Sequence, residues 1–451
     1  PPAHRSAGAP LTPTEDTVHE TFPTPHRRIS RRGLLAMGAA AGAAPALASC
    51  GSGGGGGGDG EITLGLWTWA SEFEDAFAAA AAEYKQLHPN VTVQPRYWSF
   101  ANYAPSLQAA LAAQDEADLF MPLVSTLALG EAGRIVDLRE ALGTDFLDGF
   151  FPSTNDENVW EDGQYAVGWA AQTFGLFYNT TIMDQLGLQP PQTWDELAAM
   201  APAVNAAGFV PMSIQGTPSN QLSDFVLPII TQITDDPQVV LDLDAHTADG
   251  VSWDSEPVVQ ALTVVQQLRE AGVFAEGVLA TDSDTANGTF TNGRAAMLFT
   301  GSFFPPSLQT TAPPEFLTQY AIAKTPTTRP GGKHWCANQA GYTWAISSRS
   351  ENQEAAADFL KYLYDPERYL AMMNDTFSMP STRAAAEGVT SEDIKTMTSW
   401  LLDGEGAPHI LFGKGSLDAV TNGVVSVVNG SATPQQAAKD IEAAVVQSRK
   451  I

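Results

Sequence analysis

The chain has 451 residues, with 23 Lys and Arg against 51 Asp and Glu and a formal charge of −28. That balance excludes general nucleic-acid binding, which rests on neutralising phosphates, and disfavours a strongly anionic ligand. Cys50 and Cys336 are its only cysteines, so a disulfide framework is excluded and stability has to come from the core.

Residues 1–29 are rich in Pro, Thr and Ser, lack helical or strand period, and read as disordered. In "SRRGLLAMGAAAGAAPALASC", Arg31-Arg32 precede Leu34 and a weakly apolar Ala/Gly stretch. This resembles a twin-arginine export signal. The stretch is too short and glycine-rich for a spanning helix, which needs ~20 apolar residues. Its end, Leu47-Ala48-Ser49-Cys50, resembles the bacterial lipobox, in which Cys50 becomes the lipidated first residue. The plainer alternative is an ordinary signal peptide with an incidental cysteine. Gly51–Gly60 reads as a flexible tether with a typical span of roughly 18 Å and an extended limit of about 35 Å. The expected organisation is therefore signal peptide over 1–49 and lipidated Cys with tether over 50–60. A body long enough for two lobes follows.

Within that body, "EITLGLWTW" (61–69) reads as a buried strand. A helix follows, with Ser71 and Glu74 expected as a capping box and Pro89 as its stop. "NVTVQPRYW" alternates like a strand, a helix is expected around 103–114, and "DLFMPLV" is a short strand. This β-α-β-α-β order predicts a largely parallel sheet with helices on both faces. The pattern then recurs without recurring sequence. "FGLFYN" (174–179), "FVPMSI", "RAAMLFTG" and "YTWAISS" read as strands. Thr193 with Glu196 marks one helix start, and Ser350 with Gln353 another. Residues 256–272 form an amphipathic helix, and Thr433-Pro434 begin a last one that runs to about Val446.

Four segments, "FGLFYNTTIMDQLGLQPPQTWDEL", "FTNGRAAMLFTGSF", "GYTWAISSRSENQEAAADFLKYLYDPE" and "VNGSATPQQAAKDIEAAV", stand in order across 174–445. Together they resemble the extracellular solute-binding proteins of bacterial ABC importers, in the family that binds maltose and other sugars. The resemblance implies an α/β, two-lobed, periplasmic-binding-protein-like fold with a ligand cleft between lobes. Lobe 1 would hold 61–171 plus about 341–380, and lobe 2 would hold 172–340 plus about 381–451. It also implies a monomeric, lipid-anchored receptor on the extracellular face of the membrane. Such a receptor binds a mono- or oligosaccharide by hinge closure and delivers it to permease subunits, without enzymatic turnover, cofactor or metal.

Ligands of open α/β sheets bind beyond the carboxyl ends of strands, and sugars need aromatic faces together with placed donors and acceptors. After the first strand these are Trp69, Ser71 and Glu72, with Trp67 assigned to the core and Glu72 also favourable as an acid in a first helical turn. Ser125 and Thr126 follow the third strand, where Asp118 is expected to orient the loop. Gln172 stands seven before Asn179, where some family members carry an acidic contact, and Trp169 lies beside it near an expected crossover. Asp224 and Phe225 come next. Gly301, Ser302 and Phe303 then match the family's glycine, small residue and stacking aromatic. Asn338, Gln339 and Gly341 lie at the next expected crossover. Arg383 is either a ligand contact or an interlobe ion-pair partner. Three rivals remain: a binding protein for a polyamine, a membrane-tethered sensor, and a secreted glycoside hydrolase. No G-x-S-x-G, H-E-x-x-H or zinc-ligand spacing favours a hydrolase. "HWC" (334–336) is a weak metal signal, and "DSDTANG" departs from a calcium loop at Ala286 and reads as a solvated turn.

Overall fold

The computed structural model describes residues 60–122, 126–216, 220–245, 252–409 and 415–448. The export signal, Cys50, the tether up to residue 59, and Ser125 lie outside the described residues.

Ten strands make one sheet: β1 (Ile62–Thr68), β2 (Val91–Tyr97), β3 (Leu119–Phe120), β4 (Val167–Asn179), β5 (Val210–Ser213), β6 (Ala295–Gly301), β7 (Tyr320–Ala323), β8 (Cys336–Ile346), β9 (Met379–Pro380) and β10 (Gly406–Pro408). Along the main path the order is β2-β1-β3-β8-β4-β6-β5. β1 runs parallel to β2 and β3, as the β-α-β-α-β order predicts, and β5 runs parallel to β6. β8 and β4 are antiparallel to each other, β8 to β3 and β4 to β6, while β8 runs parallel to β10.

Two large cores lie along this sheet. One gathers Leu64, Leu66, Phe73, Phe77, Leu119, Trp169, Trp344, Phe359 and Tyr369. The other gathers Phe174, Leu197, Met212, Phe225, Leu262, Met297, Val424 and Ile441. β4 contributes Val167, Trp169 and Ala170 to the first and Phe174 and Leu176 to the second, so it runs without a break from one core to the other. β8 does the same, with Ala337 in the second core and Trp344 in the first. A third cluster, including Ala171, Phe177, Phe304, Cys336, Met379 and Trp400, packs on the same two strands. The result is a two-lobed α/β molecule joined through long shared strands.

The two long strands are the main departure from the sequence pattern. The segment read as a strand from 174 begins at Val167, and the one read from 342 begins at Cys336. The expected crossovers near Trp169–Gln172 and Asn338–Gly341 are therefore strand interiors. Near-continuous burial along β4 suits a strand covered on both faces.

Helix ends follow their chemistry unevenly. Thr193 caps Trp194–Ala206 by accepting from Glu196 N at 3.1 Å, and Thr433 accepts from Gln436 N at 3.2 Å at the start of Pro434–Ser448. The Ser71–Glu74 box does not form. Ser71–Phe73 is a 3-10 turn, the helix Glu74–Leu87 starts after it, and Phe73 stands at its cap without a side-chain bond. Ser350 leaves the cap position to Asn352 and donates instead to Asp118 Oδ1, while Asp118 Oδ2 accepts from Gly65 N at 2.8 Å. Asp118 thus ties β1 to the turn after β8; residues 123–125 of the loop it was expected to orient lie outside the described residues. "DSDTANG" is not a turn: Asp282 caps the helix Ser283–Thr291. His334 Nδ1 faces the Thr325 carbonyl at 2.7 Å, and among the described residues no group of three His, Cys, Asp or Glu is placed to hold a metal ion.

Candidate functional site

The site is built outward from the middle of β4 and β8. Gln172 and Gln339 face each other across the ladder, and Gln339 Nε2 donates to Gln172 Oε1 at 2.8 Å. Both amides are partly exposed, and each keeps hydrogen-bonding groups free for a ligand. Gly341 makes their arrangement possible: a Cβ there would lie 2.3 Å from Gln172 Cδ.

On the first-core side, Tyr342 follows Gly341 and its ring lies 5.5 Å from Trp69, which in turn lies 4.9 Å from Tyr103. The Tyr342 hydroxyl donates to Glu72 Oε1, fixing that exposed carboxylate at the end of β1. Burial, reinforced by the adjacent Glu72 charge, raises the phenol above its ordinary range, so it remains a donor. Ser71 is exposed beside Glu72. Trp67 is half-buried against Trp98 at 4.9 Å, with the Arg96 guanidinium 4.5 Å from the Trp98 ring.

On the second-core side, Phe303 presents an aromatic face that is 39 % exposed, its ring 5.8 Å from Phe174. Gly301 lets this ring fold back, because a Cβ there would meet Phe303 Cε1 at 2.4 Å. Ser302 is buried, and its N–H donates to the Thr173 carbonyl at 2.9 Å, so it clamps the loop to β4 and does not point to solvent. Asp224, half-buried on the helix Asn220–Thr234, lies 3.2 Å from His409 Nε2, while His409 Nδ1 donates to the Asn338 carbonyl at 3.2 Å. The His409 ring also lies 5.3 Å from Phe174. Thus Trp69, Glu72, Gln172, Gly341, Asp224 and Phe303 are linked through β4, β8 and the residues packed on them.

Besides Ser302, burial corrects four expected contacts: Trp169, Asn338, Phe225 and Thr126. Trp169 is 0 % exposed, enclosed by Phe73, Phe77, Trp344, Tyr364 and Tyr369, and belongs to the first core. Asn338 is also fully buried. Its Nδ2 donates to the Gln172 carbonyl at 2.8 Å and its Oδ1 accepts from Ser153, which leaves its amide committed within the protein. Phe225 packs on Trp194 and Phe299 in the second core. Arg383, exposed at the start of Arg383–Ala386, lies 5.4 Å over the Phe151 ring in a cation–π contact. Thr126 is buried at the head of Thr126–Glu131. The sequence reading missed Tyr342, Tyr103 and His409. Tyr342 stood inside a segment read as strand, and His409 carried no motif.

Residues 70–368 match the family described as bacterial extracellular solute-binding protein, and the chain belongs to that family. A binding protein of Brucella abortus (strain 2308) is 22 % identical over 309 residues, 67 % of this chain and 72 % of the relative. A maltotriose-binding protein of Pyrococcus abyssi is 22 % identical over 294 residues, 63 % of this chain and 58 % of that relative. Among solved structures, a chitin oligosaccharide binding protein superposes with TM-score 0.71 at 18 % identity, over 87 % of this chain and all of the other. A cyclic alpha-maltosyl-1,6-maltose binding protein from Arthrobacter globiformis gives 0.70 at 19 % identity, with 87 % and 100 % covered. At these identities the structural likeness establishes the fold.

Proposed function

We propose that the protein is the sugar receptor of an ABC importer, tethered through Cys50 to the extracellular face of the membrane after twin-arginine export. In this reading it works as a monomer that closes on its ligand and presents it to permease subunits, without turnover, cofactor or nucleic acid. The hinge is the stretch where β4 and β8 pass between the cores. It keeps the division into 61–171 with about 341–380 and 172–340 with about 381–451. One observation supports the sugar assignment: the paired, partly exposed amides of Gln172 and Gln339 stand on the strands that join the cores, close in chain to Tyr342, which packs on Trp69, and to Thr173, whose carbonyl holds the loop that carries Phe303. Rings stack on the apolar faces of a pyranose, while amides and carboxylates such as Glu72 and Asp224 meet its hydroxyls. The names of the maltotriose- and chitin-oligosaccharide-binding relatives support the same ligand class.

The test is thermal unfolding of residues 61–451 against unmodified sugars, sugar phosphates, amino acids and polyamines. A neutral sugar should raise the transition, be recovered intact, and bind equally well at low and high salt, since screening leaves an uncharged ligand's affinity untouched. Stabilisation by a polyamine alone, fading with salt, would keep the fold and overturn the ligand class. A cleaved sugar would make the protein a hydrolase.

A further inference from the structure

The β4–β8 ladder slips where the site is built. Gln339 pairs with Gln172 and Ala340 with Ala171, but Tyr342 pairs with Ala170, leaving Gly341 without a partner position; Thr343 then pairs with Gly168, skipping Trp169 on β4 and restoring the register. An unpaired residue of this kind changes which face the side chains beside it reach. Gln339, Gly341 and Tyr342 are accordingly partly exposed while Ala340 and Thr343 are buried, a pattern that regular alternation would not produce. At the slip, the Ala340 N–H donates at 3.0 Å to Glu157 Oε1, from the 3-10 turn Asp156–Asn158. Glu157 is 1 % exposed, and its Oε2 has no hydrogen-bond partner among the described residues. Opposite, on β4, the Gly168 N–H donates to Asn155 Oδ1 at 3.2 Å and the Gly168 carbonyl accepts from Tyr364 at 2.6 Å. Side chains from one neighbourhood thus occupy backbone groups of both strands where the ladder is irregular.

We propose that Glu157 is a positioning residue for the ligand cleft: its carboxyl holds the Gly341 bulge and so sets the directions in which Gln339, Gln172 and Tyr342 meet the ligand. This rests on the reading that those three residues line the binding site. Among the described residues no cation pairs with Glu157. Burial first, and Asp156 beside it, push its carboxyl well above the ordinary range, against the Ala340 hydrogen bond, which lowers it. The other titratable groups around the crossing bond elsewhere: Tyr364 to Gly168, Tyr369 to the Trp169 carbonyl and His409 to the Asn338 carbonyl. Burial thus favours the protonated carboxyl over the carboxylate at this position.

The variants E157Q, which keeps an acceptor and cannot ionise, and E157L, which has no acceptor, separate the roles. In ligand-free protein, E157L should exchange the amide hydrogens of Ala340 and Gly341 at least tenfold faster than wild type, with E157Q within about threefold. With a sugar that stabilises wild type, calorimetric affinity should fall tenfold or more in E157L and stay within about threefold in E157Q. If E157L does not fold, E157A, which also lacks the acceptor, decides by the same exchange rates and affinity. Wild-type exchange and affinity in the variant without an acceptor would overturn the proposal. If no sugar binds wild type, the ligand reading fails, while the exchange rates still decide whether Glu157 holds the bulge.

Discussion

Phe303 and Trp169 are both aromatic residues expected at the ligand, yet their surroundings assign them opposite roles. Phe303 leaves 39 % of its surface open beside Phe174, so truncating it removes a stacking face and little packing. F303A should weaken sugar binding by three- to tenfold, the equivalent of ~0.5–1.5 kcal/mol, with the ligand-free melting temperature nearly unchanged. Trp169 has no open surface, and W169A should cost ~3–5 kcal/mol of stability. Calorimetric titration and thermal unfolding of both variants check the contrast; binding loss without destabilisation in W169A would return that ring to the site. Cys336 belongs to the interior as well. Burial pushes its thiol up to about 11, and Thr325 Oγ1 lies 3.6 Å away. In residues 61–451, where Cys336 is the one cysteine, a thiol reagent at pH 7.5 should therefore leave the native protein unlabelled and react fully only in denaturant.

Between elements, glycines decide how closely strands and side chains approach. A Cβ at Gly341 would collide with the far end of the flexible Gln172 side chain, whereas one at Gly175 would meet the Trp400 ring at 2.6 Å and the Ala323 carbonyl at 2.9 Å. G341A should displace Gln172 and lower ligand affinity while barely moving the unfolding transition. G175A should lower the transition by several degrees. Equal effects of the two on stability would contradict this separation. The same strands explain what the sequence discloses. Helices with a clean apolar period, such as Glu256–Glu270 with Val258, Ala261, Leu262, Val265 and Leu268 inward, are legible to within two residues. β4 and β8 are not, because Gln172, Asn338 and Gln339 interrupt the apolar runs and read as crossovers. Of these, Gln172 and Gln339 are the partly exposed amides of the proposed site, where local pattern gives way to function, while Asn338 is buried. The bulge at Gly341 and the long-range bond from Glu157 depend on pairing between distant segments, which a single sequence does not display.

For the whole molecule, two cores are joined by strands that run through both, and the ladder is irregular at the crossing, which makes that stretch the hinge of the proposed reading. A ligand held, as proposed, between Trp69 and Tyr342 on one side and Phe303 on the other would gain its full set of contacts when the sides approach, and so would favour the closed form over the open one. Saturation at a hundred times the dissociation constant adds ~2.7 kcal/mol. Spread over the unfolding entropy of a body this size, that is a shift of about 3 °C. Small-angle scattering on the same sample should show the radius of gyration falling on ligand addition. F303A at saturating ligand should recover the compaction, because the variant weakens occupancy without removing the hinge. A thermal shift without compaction would mean that the ligand binds one side alone. The signal read by a membrane partner would then have to lie in the bound surface itself and not in closure.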